Sequence, residues 1–115
     1  MITAYIAYPD LGTVHESQTA AEVQAVKECR ARGIAASLSH AIGVTPEWGS
    51  EPTLRLEFMA PPCYERVRLL VTQLLKTWEQ TCALVVATGK HADYEDYPVP
   101  SLWFADGRPD ERLVE

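Results

Sequence analysis

The stretch ATGKHADYEDYPVP, residues 87–100, concentrates side chains that can do chemistry, and it follows an apolar run. His91 can transfer a proton or bind a metal ion, and the carboxylates beside it can act as bases or ligands. The acidic and aromatic members are Asp93, Tyr94, Glu95, Asp96 and Tyr97. These residue types fit a catalytic loop, a metal loop, a binding edge or a solvated connection, and the stretch alone leaves all four open.

Cys63 is the candidate nucleophile of the chain. It falls in the first turn of a predicted helix, where backbone amides and the helix dipole stabilise a thiolate. A catalytic cysteine also needs a base. The histidines are His15, His40 and His91, and none is a near neighbour of Cys63 in sequence. We therefore predict that Cys63 fills a helix–strand junction as a small apolar residue and is not catalytic.

Metal and nucleotide sites find little support in the residue spacing. Zinc needs three or four convergent ligands. His91, Asp93 and Asp96 are near neighbours that His15 or His40 could join in space, but their spacing matches no zinc motif. DYEDYP lacks the glycine and the final glutamate of a calcium loop, and ATGKH lacks the first glycine and the hydroxyl residue of a phosphate loop. We predict no metal and no cofactor.

The formal net charge is −6, and the excess of acid lies toward the two ends of the chain. Residues 19–88 carry seven acids and seven bases, whereas residues 89–115 carry seven acids and three bases. Nucleic acids and anionic membranes are bound by basic surfaces, so neither is a predicted partner. An acidic surface attracts a basic protein, although solubility alone would also explain this charge.

Length and composition bound the class of protein. The 115 residues suit one domain with one core. No apolar run approaches the roughly 18 residues of a membrane span, and MITAYIAYPD at the start is predicted to be a strand and not a signal peptide. The three cysteines, Cys29, Cys63 and Cys82, form an odd set without a CxxC motif. That set favours reduced thiols and a cytoplasmic location.

Apolar periodicity divides the chain into strands and helices that would position these side chains. The first helix is predicted to begin at a Thr19–Glu22 capping box and to bury Val23, Val26, Cys29 and several alanines. The predicted order is a strand at 2–8, a helix ending at Arg32, a strand at 34–40, a loop at 43–52, a strand at 53–59, a helix from Pro61 to Gln80, a strand at 82–88 and a short strand at 102–105.

This order is that of the α+β ferredoxin-like fold, a split βαβ arrangement. It predicts βαββαβ plus a short C-terminal strand, with two helices on one face of an antiparallel sheet. We predict a single domain over residues 1–115, with an acidic aromatic extension at about 89–115. The fold hosts many unrelated functions. It therefore directs attention to the uncovered sheet face, the loops and the extension.

The uncovered sheet face is the first place to look for a site. An RNA-binding sheet needs paired outward aromatics, but Phe58 shares the inward face of its strand with Leu54 and Leu56. The outward residues are Arg55 and Glu57, which also fit an exposed ion pair. Acid–base and polar residues that could line a pocket there are Tyr5, Tyr8, His15, His40 and Arg55.

The extension is the second place, because tyrosine and tryptophan dominate interface hot spots. Trp103 joins the two loop tyrosines, and the surrounding acids would steer a basic partner toward them. Trp48, in the predicted loop at 43–52, fits either an interface or a packed loop.

The leading hypothesis is a small acidic protein-binding module of the cytoplasm and not an enzyme. It would act as an inhibitor or regulator, for example of the phage anti-defence type, by occupying a basic nucleic-acid-binding surface of a partner protein. The alternative is a homodimeric small-molecule enzyme or ligand binder. That protein would have a pocket on the open sheet face, with His91, His40 or Tyr5 as the acid–base group.

Overall fold

A computed structural model describes residues 2–46, 49–58, 64–87, 101–104 and 111–112. The elements in chain order are β1 (Ile2–Ala7), α1 (Val14–Arg32), β2 (Ala36–Thr45), β3 (Gly49–Phe58), α2 (Tyr64–Thr77), β4 (Cys82–Ala87), β5 (Ser101–Phe104) and β6 (Glu111–Arg112). The strands form one antiparallel sheet in the order β2-β3-β1-β4-β5-β6. The predicted ferredoxin-like fold is confirmed, because β3 lies between β1 and β2 and β4 returns beside β1.

The C-terminal extension carries more sheet than the single short strand predicted. Val85 of β4 is paired with Ser101 of β5, and Ser101 is paired in turn with Arg112 of β6. The sheet therefore continues past β4 by two strands among the described residues. A strand as short as β6 carries too few residues for a hydrophobic period, so it could not be found from the sequence.

The core lies between the two helices and one face of the sheet. β1 buries alternate residues, and its central Ala4 is paired with Leu56 of β3 on one side and Val85 of β4 on the other. All three are buried. The strands therefore present one continuous apolar face. The buried apolar residues of the described strands are Ile2, Ala4, Ile6, Leu54, Leu56, Phe58, Ala83 and Val85.

α1 begins earlier than its predicted start at Thr19. Thr13 is the N-cap, and its hydroxyl accepts a hydrogen bond from the backbone amide of Glu16 at 3.1 Å. Thr13 and Glu16 thus have the spacing of a capping box, and this one begins the helix. Thr19 and Glu22 have the same spacing but lie inside the helix. At the other end Gly33 adopts φ 65°, which confirms it as the helix stop.

The buried face of α1 also differs from the prediction. It consists of Ser17, Ala21, Ala25 and Cys29, whereas Val23 and Val26 are 63% and 43% exposed. Small side chains at every fourth position let the helix backbone approach the core closely. Apolar character alone favours Val23 and Val26, which are larger and more hydrophobic than alanine.

β2 and β3 form a longer hairpin than the sequence predicted. Their pairing runs without interruption from Ala36 opposite Phe58 to Thr45 opposite Gly49. Much of the predicted loop at 43–52 is therefore strand. Ile42 and Val44 are 74% and 76% exposed in this outer part of the hairpin. Apolar periodicity detects burial in the core. In this part of the hairpin the backbones pair without such burial, so the periodicity does not reveal the strands.

α2 places its apolar face on the sheet as predicted. Its fully buried residues are Val67, Leu70, Val71, Leu74 and Leu75. The helix ends at Thr77 and not at Gln80, since Glu79 adopts φ 55°. Trp78, just beyond the end, is buried and its amide still donates to the Leu74 carbonyl at 2.9 Å. Neither helix in the described part of the chain is long and apolar enough to cross a membrane.

Candidate functional site

A hydrogen-bonded chain of three side chains joins β1, β2 and α1. The Tyr8 hydroxyl lies 3.0 Å from His40 Nδ1, and His40 Nε2 lies 2.7 Å from a Glu22 carboxylate oxygen. The imidazole therefore stands between a phenol and a carboxylate. We call Tyr8, His40 and Glu22 the relay.

The sheet positions the first two members of the relay. Tyr8 follows the buried alternation of β1, and its backbone amide donates to the Pro52 carbonyl at 3.1 Å, which continues the pairing of β1 with β3. His40 is paired with the buried Leu54. Directly opposite residues of an antiparallel pair point to the same face, so His40 lies on the side covered by the helices. Glu22 reaches it from α1.

A neutral His40 imidazole can form both hydrogen bonds of the relay. If the ring proton is on Nε2, this nitrogen donates to Glu22 while Nδ1 accepts from the Tyr8 hydroxyl. The same order, a carboxylate orienting an imidazole that accepts a hydroxyl proton, underlies general-base activation in hydrolases. Glu22 is the solvent-exposed end of the chain and Tyr8 is its buried end. The arrangement can move a proton or tie three elements together.

Aromatic packing encloses the buried end of the relay. The Tyr8 ring meets the edge of the His40 ring at 5.8 Å between centroids and that of Trp78 at 6.0 Å. Only 4% of Tyr8 is exposed. Burial, and secondarily the negative charge of Glu22, raise the pKa of Tyr8 above its ordinary value. The phenol is therefore held as a neutral proton donor.

This raised pKa gives a test at alkaline pH. The folded state retains the Tyr8 proton at pH values where the unfolded state has lost it, so stability should fall as pH rises through about 10. We expect the urea midpoint of the wild type to drop more between pH 8 and pH 11 than that of Tyr8→Phe. Chemical denaturation of both proteins across this range measures the difference. Equal losses would mean that the phenol titrates alike in the folded and unfolded states.

The open face of the sheet holds a separate polar cluster. Tyr5 and Arg55 are direct partners across β1 and β3. Arg55 Nε donates to the Tyr5 hydroxyl at 3.3 Å, and the guanidinium forms an ion pair with Glu57. The hydrogen bond with Tyr5 contributes most to the raised pKa of Arg55; desolvation opposes it, and the hydrogen bond and charge of Glu57 raise the pKa further. Of the two roles that the sequence allows for Arg55, the ion pair with Glu57 is present, and Tyr5 joins it.

The predicted single pocket on the open face needs correction. Tyr5 and Arg55 lie on that face, whereas Tyr8 and His40 point to the helix side. Alternate residues of a strand point to opposite faces, so Tyr5 and Tyr8, three apart, separate. His15 lies exposed in the first turn of α1. The structure thus divides the predicted set between two faces.

Most of the predicted partner-binding residues fall outside the described part of the chain. These are Trp48, Asp93, Tyr94, Glu95, Asp96 and Tyr97, together with the catalytic candidates Cys63 and His91. Trp103 belongs to β5, and its backbone is paired with Ala83 of β4.

The relay was not recognised as a unit in the sequence. The sequence places His40 and Tyr8 among the candidates for the open face and Glu22 in a helix cap, so it does not bring the three together. The signal that was available is the even spacing of His40 from Ala36 and Leu38, which places it on the inward side of its strand. The contact with Glu22 depends on how α1 crosses the sheet.

The described residues also bear on thiol reactivity and on metal binding. Burial, and then the charge of Glu28, raise the pKa of the Cys29 thiol, which keeps it protonated and unreactive. Within the described residues, no three His, Cys, Asp or Glu side chains are grouped as a metal site requires.

Comparison with known proteins adds little to this geometry. No protein family and no curated protein matches the sequence. Among solved structures, the chain is similar to a phage SAM lyase in complex with S-methyl-5′-thioadenosine. The TM-score is 0.48 and the identity 10%, over 99% of this chain and 88% of that one. A likeness this slight transfers neither a ligand nor an activity.

Proposed function

We propose that this protein is a small binding module that engages another protein through the acidic, aromatic segment 88–100 and the strand that follows it. The pairing of β4 with β5 supports this proposal. Val85 stands opposite Ser101, so the two ends of the intervening segment are held side by side by the sheet. Binding residues are often carried on loops that a rigid scaffold positions in this way.

The length and content of this segment distinguish it from a simple turn. A hairpin connection needs only about 2–5 residues. Residues 88–100 are longer, and they include Pro98 and Pro100, which restrict the backbone and reduce the entropy lost on binding. The carboxylates of Asp93, Glu95 and Asp96 would attract a basic surface. Tyr94 and Tyr97 would supply most of the contact area.

The partner is therefore a protein with a basic surface, in our proposal one that binds nucleic acid. An acidic protein that covers such a surface acts as an inhibitor or regulator, which includes the anti-defence role. The cytoplasm is the compartment in which such a partner would be met. The buried, unreactive thiol of Cys29 is compatible with a reducing environment.

Replacing Tyr94 and Tyr97 with alanine should abolish partner capture and leave the thermal midpoint nearly unchanged. The wild type, the double variant and Tyr5→Ala would each be used as bait in a native lysate, with mass measurement of the captured complex. Tyr5→Ala is the matched control, because it removes a tyrosine from the open sheet face. Neutralising Asp93, Glu95 and Asp96 should mainly slow association and flatten its salt dependence.

Two results would contradict this proposal. A much lower thermal midpoint in the double variant would mean that the rings of Tyr94 and Tyr97 pack in the core and do not form a binding surface. Capture that persists in a stable double variant would place the interface elsewhere, and the residues around Trp48 would be tested next.

A second candidate function, small-molecule binding or acid–base catalysis in a homodimer, is favoured by the relay. Its carboxylate–imidazole–phenol order suits proton transfer, with Glu22 open to solvent. The test is native mass spectrometry of the purified protein. A small molecule that co-purifies with the wild type and is lost in His40→Ala would favour this function over the first.

A further inference from the structure

The outer edge of β2 is an unusual surface for a monomer. Among the described strands β2 is the terminal member of the sheet, so one side of its backbone has no strand beside it. Natural proteins protect such edges with charges, prolines or bulges. Residues 33–45 contain no Asp, Glu, Lys, Arg or Pro. The uninterrupted register with β3 shows that β2 has no bulge.

Exposed apolar side chains lie at two places beside this edge. Ile42 and Val44 project from the outer part of the hairpin, on the same side as His40. Val26 lies on α1 one turn after Glu22, whose contact with His40 places that flank of the helix next to β2. Among the described residues, the side chains at both places are apolar and exposed.

We infer that β2 pairs with β2 of a second copy of this chain, which joins the two sheets edge to edge. A two-fold axis perpendicular to the sheet makes the two β2 strands antiparallel and keeps both helix layers on one face. With Ala41 beside the axis, Val44 of one copy stands opposite Leu38 of the other. This symmetry makes the interface isologous, so that each contact occurs twice.

The same symmetry brings the two apolar sites together. α1 runs antiparallel to β2 in a crossover between parallel strands. Val26, one turn after Glu22, therefore lies near Leu38, two residues before His40. The hairpin valine of one copy thus reaches Val26 of the other. This reciprocal fit is the reason for assigning the edge to a second copy and not to an unrelated protein.

Charge is compatible with this arrangement. Two copies that each carry a net charge of −6 repel one another in general. β2 itself contributes no charge, and Glu22, which lies beside His40 near the axis in each copy, is engaged there by the imidazole. The arrangement goes beyond the proposed function and is independent of it, because β2 and β6 are at opposite edges of the described sheet. A dimer would therefore carry two extensions at its far ends.

Analytical ultracentrifugation of the full chain tests the inference. The wild type should sediment with twice the chain mass of 12.8 kDa, and the Ile42→Lys/Val44→Lys variant should sediment with the single-chain mass. Val26→Lys should behave in the same way, and this exposed helix position tolerates lysine. Leu69→Lys is the matched control, because Leu69 is an exposed apolar residue of α2, and it should remain dimeric.

Each contrary outcome overturns the inference. A wild type that sediments as a single chain up to high micromolar concentration means that a second copy does not occupy the edge. A dimer that persists in folded Ile42→Lys/Val44→Lys or in folded Val26→Lys means that the copies meet elsewhere. Circular dichroism of each variant establishes that it is folded. If a monomeric variant still captures the partner protein, binding through residues 88–100 does not require the dimer.

Discussion

Leu74→Ala is expected to lower the free energy of unfolding by about 2–5 kcal/mol. Leu74 is fully buried on α2, which packs against the apolar face of the sheet at β1 and β4. The substitution removes buried methyl and methylene groups and leaves a cavity that close-packed neighbours fill only in part. Urea denaturation followed by circular dichroism measures the loss directly.

Leu69→Ala is the matched control for this experiment. Leu69 lies on the same helix but is 49% exposed. Its replacement should change the free energy of unfolding by no more than about 0.5 kcal/mol. An unchanged midpoint in Leu74→Ala, or equal losses in both variants, would show that the buried face of α2 is assigned to the wrong side.

His40→Ala is expected to cost about 1–3 kcal/mol, because it leaves the buried Tyr8 hydroxyl without its acceptor. Removing the imidazole also ends the contact through which α1 is joined to β2 by Glu22. The expected loss exceeds that of an ordinary exposed substitution, because one end of the relay lies in the core. Denaturation of the variant at neutral pH gives the value.

A double-mutant cycle separates the hydrogen bond from the loss of packing. In a Tyr8→Phe background no hydroxyl remains to be left unpaired, so His40→Ala should cost less than it does in the wild type. If the two costs are the same, the Tyr8–His40 bond contributes no coupling energy. The relay would then be a set of neighbours and not a unit.

Alternation and turn chemistry in the sequence account for most of the framework. β1 and the inner part of β3 follow a strict alternation of buried and outward residues, and α2 follows a helical period. Each pattern reports burial against one face, which is a local property of the chain. Gly33 ends α1 for an equally local reason, since its positive φ suits glycine. These elements could therefore be predicted residue by residue.

Elements without a burial signal were harder to place. The outer part of the β2–β3 hairpin is held by backbone pairing while Ile42 and Val44 remain exposed. The face of α1 is set by how closely the helix approaches the sheet, which favours Ala21 and Ala25 over larger apolar residues. Two capping-box patterns compete at the start of α1, and the choice of Thr13 depends on the turn before it, where Asp10 accepts the Gly12 amide.

One of the two candidate sites can be recognised from the sequence, and the other depends on the tertiary structure. The acidic, aromatic composition of residues 88–100 is readable in the sequence by itself, because charge and residue type need no partner to be seen. The sequence by itself also determined the strand and helix order, and through it the fold class. Only the tertiary structure decided that Tyr8, His40 and Glu22 meet while Tyr5 and Arg55 lie on the opposite face. Contacts between residues far apart in the chain depend on strand register and helix placement, and these are set by packing of the whole core.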